Sequence, residues 1–114
     1  MKFGTAIASA AQLGFVYNEM CYTYRVKVEW DPQKAASNKR KHGISFQEAV
    51  TCFADPAGVL LEDEIHPERL VLIGVSEKSR VLYTVFAELA VDVVRIITAR
   101  KATTHERRHY EEGE

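Results

Sequence analysis

The groups best suited to bind phosphate and to transfer protons are concentrated in one run, Lys39-Arg40-Lys41-His42, which Gly43 follows. Cleavage of RNA by its own 2′-hydroxyl group needs a base for that hydroxyl, an acid for the departing 5′-oxygen and cations for the charge that gathers on phosphate. Imidazole titrates near neutral pH, so His42 is the best candidate for proton transfer. Lys41 is a candidate phosphate ligand or general acid. The run therefore indicates a nucleic-acid-processing site as the first hypothesis.

Simpler interpretations exist for the same two residues. A histidine in the last turn of a helix can cap backbone carbonyls, and the helix dipole favours its protonated form there, although the charge of Lys41 opposes it. Lys41 taken alone is an exposed helix residue. The catalytic and the capping interpretations of His42 are both open on the sequence.

Helix-boundary signals place this run at a fixed corner of the chain. Asp31-Pro32 supplies an N-cap and a proline at the first helical position. Gly43 supplies a left-handed C-cap, so a helix is predicted from residue 32 to residue 42. The sequence Ser45-x-x-Glu48 is a capping box that begins a second helix. The buried stripe of that helix is predicted to consist of Phe46, Ala49, Val50 and Phe53.

Short apolar runs on both sides of the helices predict strands, because they are rich in aromatic and β-branched residues. The predicted strands are 22–30, 59–61, 70–75, 81–87 and 91–98, with turns at 77–79 and 88–90. A second capping box, Thr103-x-x-Glu106, begins a C-terminal helix. The order β-α-α-β-β-β-β-α predicts an α+β fold, in which an antiparallel sheet of about four to five strands packs with two N-terminal helices and one C-terminal helix.

Length and composition indicate one small domain. The chain has 114 residues, of which 46% are hydrophobic, and this is enough for a single core. We predict one domain over residues 21–114, preceded by an N-terminal arm (1–20) whose apolar residues have partly helical spacing. Met20 is an alternative start of the domain. No apolar run reaches the roughly 18–20 residues of a membrane helix, and polar residues and glycines interrupt the arm, which argues against a signal peptide. Cys21 and Cys52 lack metal-ligand spacing and are predicted to be reduced thiols of a cytoplasmic protein.

Charge is segregated along the chain, although the formal net charge is only −1. Residues 54–68 contain five acids and no Lys or Arg, whereas residues 95–109 contain five Lys or Arg and a single acid. This pattern favours one face for a polyanion and another for a basic partner, while solvated surface charge is the default explanation for any single residue. His105 and His109 lack a third ligand, and no phosphate-binding glycine loop is present, so neither a metal nor a cofactor is predicted.

Strand register predicts how the arginines of the sheet are sorted. If the turn at 77–79 pairs residue 75 with residue 80, Arg69 lies near Phe86 and about 20 Å from Arg80. Arg69 and Arg80 then cannot bind the same phosphate.

The register of the last two strands gives a second expectation. A turn at 88–90 would place Arg80 across from Thr98, on the side to which Arg100 points. Arg95 is five positions from Arg100, so in a regular strand the two side chains lie on opposite faces of the sheet, unless a bulge intervenes. A structural ion pair with an acid of residues 55–68 is the simpler explanation for Arg95.

The chain resembles the BrnT family of bacterial type II toxins. The resemblance covers residues 28–112 and is carried by WDPQKAASNKRKHGISFQEAV, ADP, ERLVLIG, SR and RIITARKATTHERRHYEE, in that order. It implies a RelE-like, metal-independent endoribonuclease fold, and a toxin that cleaves RNA and so inhibits translation and growth. It also implies a cognate BrnA-like antitoxin whose ribbon-helix-helix domain binds operator DNA, in a complex that is a dimer or heterotetramer. Two features depart from the family pattern: the glycine-free turn at 88–90 and the N-terminal arm. The arm would be an oligomer contact or a cap over the site.

Matching motifs by position gives the site residues that the resemblance implies. The catalytic candidates are Lys41, His42, Arg80 and Arg95. The candidate RNA-binding residues are Lys39, Arg40, Arg69, Arg100 and Lys101. The motif places Arg95 with Arg80, which a one-residue bulge would permit and a regular strand would not.

Two other functions are compatible with the sequence. A co-repressor that binds its antitoxin and has weak or no nuclease activity would explain the near-neutral charge and the segregation of acids from bases. A plain RNA-binding domain is less favoured, because no interleaved pattern of aromatic and basic residues stands out.

Overall fold

A computed structural model describes residues 27–91 and 93–113. The predicted arm over residues 1–20, the first part of the predicted strand 22–30 and Cys21 lie outside the described residues. Within the described part, the chain forms five strands and three helices, as an α+β fold. They are β1 (Lys27–Glu29), α1 (Pro32–His42), α2 (Phe46–Thr51), β2 (Val59–Glu62), β3 (Arg69–Val75), β4 (Val81–Ala90), β5 (Val93–Lys101) and α3 (Thr104–Glu112).

The five strands form one mixed sheet in the order β1-β5-β4-β3-β2. Strands β2 to β5 pair antiparallel with one another, as predicted. The expectation of a wholly antiparallel sheet is wrong for β1, which pairs parallel with β5 from Lys27↔Val93 to Glu29↔Arg95. The chain leaves β1, crosses the sheet through α1 and α2 and enters β2 at the far edge. It then returns through the four antiparallel strands β2 to β5, so that β5 lies beside β1 and runs in the same direction.

The hairpin between β4 and β5 differs from its prediction in length and register. Strand β4 continues to Ala90, which pairs with Val93, so the turn lies later than the predicted 88–90. Arg80 is consequently not opposite Thr98, whose partner is Val85. The regular pairing of β4 with β5 is interrupted between Val85, which pairs with Thr98, and Phe86, which pairs with Ile96. Residue 97 therefore has no partner in β4 and forms a β-bulge. Because of this bulge, each residue of β5 before position 97 lies on the opposite face of the sheet from the one expected for a regular strand.

The turn between β3 and β4 lies at residues 77–79, as predicted. It pairs Val75 with Val81 rather than with residue 80, because Ser76 N–H donates to the Arg80 carbonyl (2.8 Å) across a three-residue loop. Ser79 has φ 62°, the left-handed conformation that closes such a loop. Arg69 is therefore opposite Ala87, one residue from the predicted Phe86 and still far from Arg80.

The helix-boundary predictions for α1 and α3 are confirmed. The Asp31 side chain accepts from Gln33 N–H (2.8 Å), and Gly43 has φ 73° with its N–H bonded to the Lys39 carbonyl. Thr103 and Glu106 form a complete capping box. For α2 only half of the predicted box forms. The Ser45 hydroxyl oxygen accepts from Glu48 N–H (3.0 Å), but the Glu48 carboxylate turns into the protein.

The core lies between helices α1 and α2 and one face of the sheet. Phe46, Ala49 and Phe53 of the predicted stripe are buried, whereas Val50 is partly buried against them. A 3-10 turn at Cys52–Ala54 continues α2. The sheet side of this core consists of Leu70, Leu72, Leu82, Phe86, Val94, Ile96 and Ala99. Among the described residues, no helix is long and apolar enough to cross a membrane.

Asn38 joins α1 to the part of β5 that β1 does not reach. Its amide nitrogen donates to the carbonyls of Ile44 (2.9 Å) and Ala99 (2.7 Å), and its amide oxygen accepts from Ala99 N–H (3.1 Å). Strand β1 pairs with β5 only as far as Arg95. The Asn38 side chain thus replaces a neighbouring strand at Ala99 and fixes the end of α1 against the sheet.

We expect Asn38→Ala to lower the free energy of unfolding by about 2–4 kcal/mol, because it leaves backbone groups of Ala99 and Ile44 buried without partners. Urea unfolding followed by circular dichroism measures the loss. Ser37→Ala, one position earlier on the same helix, is the matched control and should change stability by less than about 0.5 kcal/mol. An Asn38→Ala loss as small as that of the control would contradict the bridging role.

Candidate active site

The cationic run forms the last turn of α1 and is open to solvent. Lys39, Arg40, Lys41 and His42 are all exposed. Asn38 immediately precedes them and is buried, so the backbone that carries the run is fixed although its side chains are free to meet a ligand. Gly43 N–H donates to the Lys39 carbonyl (2.9 Å), and no hydrogen bond from the His42 side chain to a backbone carbonyl is seen among the described residues.

Arg80 lies directly after the β3–β4 turn and is bound to Glu48 of α2. Its Nε donates to Glu48 Oε2 (2.9 Å) and its Nη2 donates to Oε1. The Ser76 hydroxyl donates to the same Oε2 (2.6 Å). Glu48 is 2% exposed, whereas the Arg80 side chain is 32% exposed. A buried carboxylate is thus paired with a guanidinium that still reaches solvent.

This contact fixes the protonation state of the pair. The hydrogen bond from Arg80 lowers the pKa of the Glu48 carboxyl below its ordinary value, with a smaller contribution from Ser76, and these effects outweigh the opposing effect of burial. The same hydrogen bond raises the pKa of Arg80. Glu48 is therefore ionised and Arg80 is charged at neutral pH.

The run, Arg80 and Lys101 lie at one end of the sheet. A three-residue link (43–45) joins the end of α1 to α2, whose Glu48 contacts Arg80. The C-terminal end of β5 reaches the same level, because Ala102 N–H donates to the Val81 carbonyl (2.9 Å). Lys101 is exposed and pairs with Leu82, a core residue, so it projects on the helix-covered side. We name this end of the molecule, with residues 39–42, Arg80 and Lys101, the cationic corner.

Arg95 is not part of the cationic corner. It lies in register with Glu29, and its guanidinium forms an ion pair with that residue (2.7 Å). Its neighbours in β5, Val94 and Ile96, are in the core beneath the helices, so Arg95 faces the opposite side of the sheet. The expected structural ion pair forms, but its acid is Glu29 rather than one of residues 55–68. The expectation that Arg95 and Arg80 lie together is wrong, because they differ in face and in position along the sheet.

The bulge changes which arginines share a face. The extra residue 97 places Arg95 and Arg100 on the same side, contrary to the parity of a regular strand. Arg100 lies over the ring of Tyr83, 4.0 Å from its centroid, and forms a two-point ion pair with Glu106 (2.8 and 2.9 Å). Its guanidinium is thus held between β4 and α3.

Arg69 lies at the opposite end of the sheet from the cationic corner. It begins β3 and pairs with Ala87, which in turn pairs with Arg95. Its Nε is 3.7 Å from the Glu68 carboxylate. Of the nine predicted site residues, the structure therefore groups Lys39, Arg40, Lys41, His42, Arg80 and Lys101, and separates Arg69, Arg95 and Arg100 from them.

Two residues that support the cationic corner, Glu48 and Asn38, were not identified from the sequence. Glu48 was interpreted only as the acid of a capping box, and it lies about 200° around the helix from Phe46, on the side expected to face solvent. It is buried because the β3–β4 turn covers that side. Asn38 carried no motif at all. A polar residue just before the last turn of a helix with a glycine cap was the only available signal.

Other features of the described residues concern metals and thiols. No group of three or more His, Cys, Asp or Glu side chains there is arranged to hold a metal ion. Cys52 is a free, buried thiol. Burial raises its pKa to about 12, assisted by the charges of Glu48 and Asp55, so that it remains protonated and unreactive.

Comparison with known proteins agrees with this architecture. A family model described as "Ribonuclease toxin, BrnT, of type II toxin-antitoxin system" matches residues 30–106, about two-thirds of the chain. The fold is similar to the 1.1 Å crystal structure of the Brucella abortus ribonuclease toxin BrnT, with a TM-score of 0.59 and 21% sequence identity over 70% of this chain and 100% of that one. A search of curated proteins finds no match.

The pairing of Glu48 predicts a pH-dependent stability. Because its folded-state pKa lies below the ordinary value of 4.5, the pair stabilises the fold above that pH, and the contribution is lost as the pH falls through the folded-state pKa. We expect Glu48→Gln to be less stable by about 2 kcal/mol at pH 7 and to lose less stability than the wild type between pH 5 and pH 3. Urea unfolding at a series of pH values measures both.

Glu29→Gln removes the exposed carboxylate of the Arg95 pair and provides the control. It should retain the acid-dependent loss of the wild type and cost less than about 1 kcal/mol. Parallel pH profiles for the wild type and Glu48→Gln would contradict the assignment of this loss to Glu48.

Proposed function

This chain belongs to the BrnT family of ribonuclease toxins of type II toxin–antitoxin systems, and we propose that it is a metal-independent endoribonuclease that acts at the cationic corner. The observation that carries this proposal is the grouping of Lys39–His42, Arg80 and Lys101 around one solvent-open end of the sheet. Such a surface can bind the RNA backbone and bring the His42 imidazole to it.

The chemistry follows from the groups present. His42 takes the proton of the 2′-hydroxyl, whose oxygen attacks the neighbouring phosphorus while the bond to the 5′-oxygen breaks. The departing 5′-oxygen receives a proton from the solvent to which the corner is open, and the products are a 2′,3′-cyclic phosphate and a 5′-hydroxyl. Lys41 and Arg80 stabilise the negative charge of the pentacoordinate phosphate, which is the task a metal ion performs in other nucleases. Lys39, Arg40 and Lys101 bind the flanking phosphates.

Arg95, Arg100 and Arg69 have other roles in this proposal. Arg95 joins β1 to β5 through Glu29 and stands apart from the reacting phosphate. Arg100 stabilises the junction of β5 and α3, and Arg69 lies too far away to share the substrate phosphate. The residue set is thus smaller than the family motif alone implies.

Membership of the family also suggests partners and setting. We propose a BrnA-like antitoxin with a ribbon-helix-helix domain that neutralises the toxin and binds operator DNA, in a dimeric or heterotetrameric complex. The RNA substrate and the inhibition of translation and growth place the activity in the cytoplasm.

One observation favours a second candidate function, a co-repressor without nuclease activity. Each arginine of the predicted site that lies on or beside the sheet has a carboxylate within 4 Å: Arg69 has Glu68, Arg80 has Glu48, Arg95 has Glu29 and Arg100 has Glu106. These pairs reduce the positive charge available to RNA. A toxin-derived module that only binds its antitoxin would tolerate that reduction.

We expect the purified chain to cleave RNA in the presence of EDTA, and Lys41→Ala and Arg80→Lys each to lower the cleavage rate by at least about 100-fold. Lysine preserves the charge beside Glu48 but lacks the planar donor edge of arginine, so Arg80→Lys should remain folded. Gel analysis of labelled RNA, naked and in a cell-free translation reaction, gives the rates. Arg95→Ala, on the other face, is the control and should cleave like the wild type.

Cleavage by both site variants at the wild-type rate would remove Lys41 and Arg80 from the site. Loss of cleavage in Arg95→Ala with its fold intact would restore Arg95 to it. A folded wild-type chain that inhibits neither growth nor translation and cleaves no RNA would favour the co-repressor.

A further inference from the structure

We propose that Glu48 is a positioning residue, which holds the Arg80 guanidinium so that its outer donor edge is presented to a phosphate. The inference rests on the proposed function, since it concerns how one proposed phosphate ligand is prepared for the reaction. It adds a residue that does not touch substrate and that the sequence motifs marked only as a helix cap.

Arg80 uses only part of its hydrogen-bond donors on Glu48. A guanidinium has five N–H groups, arranged on edges that each match two oxygens of a carboxylate or phosphate. Glu48 occupies the edge formed by Nε and Nη2. The edge formed by Nη1 and the second hydrogen of Nη2 is left, and within the described residues Nη1 donates to no protein group. This remaining edge points away from the buried carboxylate, toward the solvent that the side chain partly reaches.

Glu48 is itself held in place by hydrogen bonds. Its backbone N–H is bonded to the Ser45 hydroxyl oxygen (3.0 Å), and its carboxylate receives the Ser76 hydroxyl (2.6 Å). A second bridge joins the same two elements: the Thr51 hydroxyl donates to the Glu48 carbonyl (2.6 Å) and accepts from Glu77 N–H (2.9 Å). Helix α2 and the β3–β4 turn thus form one rigid unit around the carboxylate.

The contact with Glu48 lowers the entropy that Arg80 would lose on binding a phosphate. A free arginine loses rotamer entropy when it binds a phosphate, whereas a side chain already held in place loses much less. The carboxylate also offsets the charge of Arg80, so the pair is poorly suited to attracting RNA from a distance. Glu48 therefore favours orientation at the reacting phosphate over general affinity for polyanions.

This division of roles predicts a specific kinetic signature for Glu48→Gln. The variant keeps the size of the side chain but frees Arg80 from its ionic partner. We expect kcat to fall at least 10-fold, because the donor edge is no longer held, while KM stays the same or decreases, because Arg80 attracts RNA more strongly. A purely structural role would change the fraction of folded protein and leave the electrostatics of binding unaltered.

Two readouts separate the positioning role from loss of structure. Binding of a fluorescent 2′-O-methyl oligonucleotide, which lacks the attacking hydroxyl, should become more salt-dependent in Glu48→Gln, with the slope of log K against log salt steeper by about 0.7 for one additional phosphate contact. The Arg80 Nε–H signal in NMR spectra should exchange with water at least 10-fold faster. Kinetics are measured at a temperature where unfolding curves show the variant fully folded.

Controls and a milder variant complete the test. Glu29→Gln breaks the exposed ion pair of Arg95, and Ile96→Val weakens the core; both should leave kcat, KM and salt slope unchanged. Ser76→Ala removes one hydrogen bond to Glu48 and should lower kcat about 2- to 5-fold, which keeps the test valid if Glu48→Gln fails to fold.

Wild-type kcat in folded Glu48→Gln or, if that variant does not fold, in Ser76→Ala would overturn the inference while leaving the proposed function intact. Absence of RNA cleavage by the wild type would instead overturn the proposed function and, with it, this inference.

Discussion

The ion pair between Glu48 and Arg80 is the constraint on which the rest of this corner depends. A carboxylate that is 2% exposed must be paired and hydrogen-bonded, or it would be expelled or protonated. Arg80 and Ser76 satisfy it, and both belong to the β3–β4 turn. If the turn moved relative to α2, the Glu48 carboxylate would become exposed to solvent or lose its hydrogen-bond partners. The proposed catalytic surface, which consists mostly of long, exposed side chains, thereby acquires one fixed boundary.

Asn38 supplies the second boundary by a different physical means. Strand β1 is short, and β5 extends beyond it, which would leave backbone groups of Ala99 without a neighbouring strand. The amide of Asn38 satisfies them and at the same time holds the Ile44 carbonyl just past the helix end. One side chain thus joins the end of α1, the link to α2 and the sheet. The four residues that follow Asn38 expose their side chains to solvent, while Asn38 holds the backbone that precedes them against the sheet.

The local features of this fold could be predicted from the sequence, because helix termini depend on neighbouring residues. Asp31-Pro32, Gly43 and the Thr103–Glu106 box predicted helix boundaries that the structure confirms. Features that depend on distant partners were not predictable in the same way. The parallel pairing of β1, the extension of β4 to Ala90 and the bulge at residue 97 all arise from packing across the sheet, and together they changed the positions expected for Arg80 and Arg95. Glu48 was missed because its burial is caused by a turn almost 30 residues away.

The central claim is that RNA binds at the cationic corner and not across the face that carries Arg69 and Arg95. NMR spectra of the ¹⁵N-labelled chain, titrated with an uncleavable 2′-O-methyl oligonucleotide, test it most directly, because backbone and arginine side-chain signals report both surfaces at once. The predicted result is a set of shifts at residues 39–42, at the Arg80 Nε–H and at Lys101, with the Arg69 and Arg95 signals unmoved. Shifts concentrated at Arg69, Arg95 and Glu29, with residues 39–42 unaffected, would contradict the account.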